Sequence, residues 1–118
     1  DIDGMKQLND QHSHATGDAA LMTLADILQQ NVRASDLVGR LSGDEFGVLL
    51  AQADSKTAGE KTLRLQELIK QARIKLADST ITLSTTFGVV EVTSKMSATD
   101  ALEQADKAMY DRKQNPRP

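Results

Sequence analysis

The run Arg40-Leu41-Ser42-Gly43-Asp44-Glu45-Phe46-Gly47-Val48-Leu49-Leu50 restricts the possible folds more than any other part of the chain. Apolar β-formers flank a Ser-Gly-Asp-Glu center, and a Gly between two such runs marks a tight turn. Residues 36–41 and 45–50 are therefore predicted to be the two strands of a hairpin. Phe46, Val48 and Leu50 alternate with Gly47 and Leu49, and both sets are apolar. A strand of that kind is expected to be covered on both faces. The turn lifts Asp44 and Glu45 side by side to the lip of a sheet.

Helical periodicity surrounds the hairpin. Residues 4–11 read as a short helix with Met5 and Leu8 on one side, and residues 12–17 as a loop. A strong amphipathic helix starts at Asp18, with Leu21, Leu24, Ala25, Leu28 and Val32 on its apolar stripe. Asp54 and Ser55 are N-cap candidates for a helix reaching about Leu76, with Ala58, Leu65, Leu68, Ile69, Ala72 and Leu76 inward. Residues 80–92 are rich in β-branched side chains, and Gly88 marks a bulge or a close approach. Ser97 to Asp100 resembles a capping box. It opens a last helix, with Ala98, Ala101, Leu102, Ala105, Ala108 and Met109 inward and Pro116 ending it. Strands alternating with helices define an α/β domain. The strand count is low for such a sheet, and a further strand ahead of Asp1 would complete it.

The chain has 118 residues, enough for one domain and one core. With 3% aromatic residues, that core must come from Leu, Ile, Val, Ala and Met. A net charge of −3 gives no support to duplex-DNA binding, which requires a basic face. Cysteine is absent, which excludes disulfides, thiolate metal sites and cysteine nucleophiles. No apolar run is long enough for a membrane span, and no signal-peptide pattern is present, so a cytoplasmic domain is expected.

The acidic residues suggest the chemistry. Adjacent carboxylates can hold a divalent metal, and the metal can hold a nucleotide phosphate. Asp1-Ile2-Asp3 is a second acidic pair around an apolar residue. If the two places meet in space, the cluster suits Mg²⁺ and phosphoryl or nucleotidyl transfer. Other polar residues have plain structural readings: Asp18 at a helix start, Lys113 and Arg117 complementing a helix C-terminus, Arg33 and Asp36 as an i, i+3 ion pair.

The ordered pieces D-I-D-G-M-K-x-L-N-D, H-x-x-G-D, R-x-x-D, R-L-S-G-D-E-F and A-D-K-A-M-Y-x-x-K resemble the GGDEF, or diguanylate cyclase, family across nearly the whole chain. The resemblance implies an α/β, nucleotidyl-cyclase or palm-like domain over residues 1–118. Its central, mainly antiparallel sheet would be flanked by helices, with the signature on a β-hairpin and an N-terminal helix and first strand lying upstream. It implies condensation of two GTP into cyclic di-GMP and pyrophosphate by a homodimer, with two Mg²⁺ or Mn²⁺ per GTP. Attached sensory or output domains would be regulatory partners.

By the same resemblance, Asp1, Asp44 and the Ile2 carbonyl would hold metal. Asp44 would also deprotonate the attacking hydroxyl, and Glu45 would support metal binding next to it. Asn9 and Asp18 would read guanine, with His14 lining that pocket. Gly4, Met5 and Lys6 would lie under the phosphates, Ser42 and Gly43 beside the substrate, and Lys113 and Arg117 on the terminal phosphates. Arg33 and Asp36 would form an inhibitory site for cyclic di-GMP. Ser42 stands where the family usually has Gly; a positive φ there would cost roughly 1 kcal/mol or more. The alternative implied function is an inactive module that binds GTP or cyclic di-GMP and regulates an attached domain.

Overall fold

The computed structural model describes residues 1–11, 13–76 and 79–115, with the side chains of residues 6 and 7 outside the description. In chain order the elements are α1 (Met5–Gln11), α2 (His14–Gln30), β1 (Leu37–Ser42), β2 (Glu45–Leu49), α3 (Ser55–Gln71), β3 (Ile74–Lys75), β4 (Thr80–Ile81) and α4 (Ala98–Gln114). The predicted α/β class stands, with the signature on an antiparallel hairpin. β1 and β2 pair from Leu37 with Leu49 to Ser42 with Glu45, with an irregularity between Arg40 and Ser42.

The sheet is divided more than expected. β3 pairs antiparallel with β4, and Ile2 forms an isolated antiparallel bridge with Thr85. Residues 82–92 were predicted as strand but carry no regular ladder beyond that bridge. Side chains nevertheless alternate as in a strand, because Leu83 and Thr85 are buried while Thr82 and Ser84 are exposed.

Two helix boundaries move. α2 begins at His14, not Asp18, because Ser13 is its N-cap and its side chain accepts from the Thr16 amide at 3.2 Å. That cap satisfies a donor that a loop would have left open. α3 starts as expected on the Asp54 cap, which accepts from the Thr57 amide at 2.8 Å. It stops at Gln71 rather than Leu76, and Ile74 turns into β3 with its side chain in the core.

The core joins one face of α2 (Ala20, Leu21, Leu24, Leu28) to one face of α3 (Leu65, Ile69), with Ile2, Ile74 and Leu83 completing it. Leu24, Leu28 and Ile69 are at most 1% exposed. Each such side chain contributes about 1.5–3 kcal/mol on burial. The hairpin is less covered than its sequence predicts. Phe46 and Val48 pack on the core, whereas Leu37 and Leu49 are 65% and 55% exposed. α4 also differs: none of its residues is fully buried, Ala98 is exposed and Leu102 is 50% exposed. A mostly apolar cleft of about 830 Å³ explains both, opening between β2, residues 85–92 and α4.

Gly88 is a point of close approach, as anticipated: a Cβ there would fall on the Ala105 carbonyl oxygen of α4. No described helix is long and apolar enough to cross a membrane.

Candidate functional site

Ile2 anchors the first half of the site. Its side chain is 2% exposed, and the flanking bonds run from the Asp3 amide to the Ser84 carbonyl (2.8 Å) and from the Thr86 amide to the Asp1 carbonyl (3.0 Å). In that antiparallel pattern the N–H and C=O of Ile2 itself point to the opposite edge. Strand alternation also sends the Asp1 and Asp3 side chains to the face opposite the core. Gly4 follows with φ 67°, a left-handed turn into α1 that a side chain would oppose by about 1–2 kcal/mol.

Lys113, in the last turn of α4, reaches this place from the far end of the chain. Its Nζ donates to Asp1 Oδ2 at 2.9 Å and lies 4.0 Å from Asp3 Oδ1. Asp1 Oδ1 is buried without a hydrogen-bond partner. Asp3 accepts from the Ser84 hydroxyl at 2.8 Å and the Thr86 hydroxyl at 2.6 Å. Asp1, Ser42 and Glu45 line one cleft, so the two acidic stretches singled out in the sequence face a common space.

The hairpin turn supplies the other half. Ser42 ends β1, Asp44 and Glu45 are half-buried, and the Arg40 guanidinium closes the turn on the Gly43 carbonyl (Nε at 2.8 Å). Ser42 does not adopt positive φ, so Ser carries no backbone penalty there. A Cβ on Gly43 would meet open space.

Beside the turn is a pocket of about 460 Å³, lined by Met5, Asn9, His14, Asp18, Gly43 and Asp44 together with Asp10, Leu21 and Arg40. The earlier start of α2 explains its composition. His14 and Asp18 become i, i+4 neighbours on one helical face, so His14 is not in a loop and Asp18 is not at the helix start. Gly17 brings α1 close, since a Cβ there would fall on Asn9 Oδ1, an atom that is buried without a partner. Arg40 and Asp10 were given no role from sequence. The only signal for Arg40 was its place before the turn.

Arg33 and Asp36 line neither pocket. Asp36 accepts from the Arg33 amide (2.8 Å) and the Ala51 amide (2.9 Å), and its side chain is 2% exposed. The Arg33 guanidinium lies 3.6 Å from Asp36 and donates to the Ala51 carbonyl, with its side chain 63% exposed. This clasp ties the turn after α2 to the end of the hairpin. The Ala51 amide, then the Arg33 amide, hold the Asp36 carboxyl below its ordinary value. The Lys6 side chain, Pro116 and Arg117 lie outside the described residues.

The α/β domain thus carries carboxylates on a bridged strand and on a hairpin turn, beside a pocket lined by Asn9, His14, Asp18 and Asp44. The chain belongs to the GGDEF family: the model for "Diguanylate cyclase, GGDEF domain" matches residues 1–118. It is 42% identical over 115 residues to diguanylate cyclase TpbB of Pseudomonas aeruginosa, covering 93% of this chain and 26% of that protein. The crystal structure of the TpbB GGDEF domain superposes with a TM-score of 0.82 at 39% identity, covering 99% of this chain and 74% of that one. Diguanylate cyclase SiaD of Pseudomonas aeruginosa, solved with its activator SiaC, gives a TM-score of 0.94 at 29% identity, covering 99% and 45%. The chain thus spans about a quarter of the curated relative's length.

The donor set fits a hard divalent cation in part. Carboxylate and carbonyl oxygens are the ligands Mg²⁺ and Mn²⁺ take, and the orphaned Asp1 Oδ1 lacks only a partner. Among the described residues, no three acidic or imidazole side chains converge into a complete cage. Substrate oxygens would have to supply the remaining ligands.

Proposed function

We propose that this domain is a diguanylate cyclase, condensing two GTP into cyclic di-GMP and two pyrophosphates as a homodimer. The observation that carries the reading is the convergence of Asn9, His14, Asp18, Gly43 and Asp44 on one pocket, from three separate sequence motifs. Asp18 presents a carboxylate to the N1–H and N2–H₂ donors of guanine, and the unpartnered Asn9 Oδ1 offers a further acceptor. A base lacking those donors would leave both groups unpaired, which discriminates strongly.

Asp1, Asp44 and the Ile2 carbonyl would hold the Mg²⁺ or Mn²⁺ ions, supported by Glu45. When bound, these ions neutralise charge along the triphosphate. Asp44, at the turn, takes the proton from the 3′-hydroxyl of one GTP. The freed oxygen bonds to the α-phosphorus of the other GTP, and the bond to pyrophosphate breaks. The turn into α1 at Gly4, Met5 and Lys6 offers amides to the phosphates, and Lys113 and Arg117 counter the terminal charge. Each subunit presents one GTP, so two must meet for ring closure. The open space at Gly43 leaves room for that approach.

Ser42 favours activity over the inactive-module reading, because its backbone is unstrained and its hydroxyl can donate to substrate. The exposed Arg33 guanidinium supports product inhibition, with Asp36 held rigidly beside it. The apolar cleft between β2 and residues 85–92 supports a further strand of this polypeptide in that place. GTP turnover with Mg²⁺, read chromatographically as cyclic di-GMP, tests the proposal against Asp44→Ala. Product from the parent and none from the variant is expected. Tight GTP binding with no product from the parent would leave only the regulatory-module reading.

A further inference from the structure

We propose that Asp3 is a positioning residue: it keeps the Lys113 ammonium at the mouth of the site when a divalent cation takes the ammonium's place on Asp1. The inference rests on the nucleotidyl-transfer reading above. Lys113 Nζ lies 2.9 Å from Asp1 Oδ2, on a carboxylate whose other oxygen is buried and unpartnered. A divalent cation would claim this same carboxylate. An ammonium and a metal ion at one carboxylate repel each other, so binding of the cation displaces the lysine.

Asp3 is the nearest alternative, with its Oδ1 4.0 Å from Nζ. A shift of about one ångström would bring the lysine to ordinary ion-pair distance. Two hydroxyl donors hold the Asp3 carboxylate in its present orientation. The Ser84 hydroxyl holds Oδ2 and the Thr86 hydroxyl holds Oδ1, both from the segment bridged to Ile2. Lysine carries a compact charge on a flexible stem, and the Lys113 side chain is 33% exposed. Without Asp3, its natural course on release from Asp1 is into solvent. With Asp3, it stays one carboxylate away, beside the place where a triphosphate is handled.

Mn²⁺ binding to the full chain without nucleotide, followed by electron paramagnetic resonance, tests this in four forms: parent, Asp3→Asn, Lys113→Met and the double variant. Asn keeps polar partners for Ser84 and Thr86 while removing the charge. Lys113→Met should tighten Mn²⁺ binding by about fivefold, the upper range for a partly exposed ion pair. Asp3→Asn should weaken it several-fold in the parent, because Lys113 then has only Asp1 to hold. In the Lys113→Met background the same change should have little effect.

Equal weakening in both backgrounds would reduce Asp3 to a nearby charge and overturn the proposal. An unchanged affinity in Lys113→Met, or no Mn²⁺ binding by the parent, would overturn it too. A purely structural role for Asp3 would lower the unfolding temperature without dependence on Lys113. The cyclase reading is judged separately by cyclic di-GMP formation, so its failure leaves the Mn²⁺ cycle interpretable.

Discussion

Gly88→Ala is expected to destabilise the domain more than its single methyl group suggests. A Cβ at this position would fall on the Ala105 carbonyl oxygen and come within 2.6 Å of the Met109 amide nitrogen. Both obstacles are helix backbone, so no rotamer change relieves them, and α4 must move off residues 85–90. Overpacking costs typically about 1–3 kcal/mol, and a backbone obstacle belongs at the upper end. At about 4 °C per kcal/mol for a chain of this size, the unfolding midpoint should fall by about 12 °C. Gly59→Ala is the internal control. Gly59 lies inside α3 with nothing within 4 Å of its would-be Cβ. The higher helix propensity of Ala should raise the midpoint by about 4 °C, from about 1 kcal/mol. Thermal unfolding by circular dichroism, checked by urea titration, reads both. A Gly88→Ala midpoint within about 2 °C of the parent would refute the packing of α4 against Gly88.

Three further outcomes are expected. Gly17→Ala should displace the Asn9 side chain and weaken GTP binding by about tenfold, the worth of one good hydrogen bond, with little loss of stability in calorimetry. Leu28→Ala, at a position 1% exposed between α2 and α3, should cost about 2–5 kcal/mol in urea unfolding. The Asp36 carboxyl is held below its ordinary value of 3.8, chiefly by the Ala51 amide, so its folded pKa is lower than its unfolded one. That contribution is complete above the unfolded value and is lost as pH falls below about 3.8 through the folded value. Asp36→Asn should therefore flatten this part of the acid limb in urea midpoints measured from pH 7 to pH 3. An unaltered acid limb would remove the clasp from the account.

The elements read most clearly were those whose signal is local. The hairpin followed from apolar runs around Ser42-Gly43-Asp44. The helix starts at Asp54 and Ser97 followed from side chains that cap amides three residues on. The start of α2 was missed because Gly17 reads as a loop residue, whereas the fold keeps Gly there to let Asn9 approach. The inner face of α4 followed the apolar period correctly at Ala101, Ala105 and Met109. How deeply that face is buried depends on the cleft below it, which no periodicity records.

The sequence by itself determined the hairpin, the caps, the apolar stripes of α2 and α3, and membership in a family of nucleotide cyclases. Tertiary structure alone decided that Lys113 closes on Asp1 across 112 positions of chain. It also decided that Asp3 is locked by Ser84 and Thr86, that Arg40 braces the turn, and that Asp36 is spent on two backbone amides. Caps and turns satisfy their hydrogen bonds within a few residues, so their signals are local. Ion pairs and pockets join residues distant in the chain, and their partners are chosen only when the core brings those segments together.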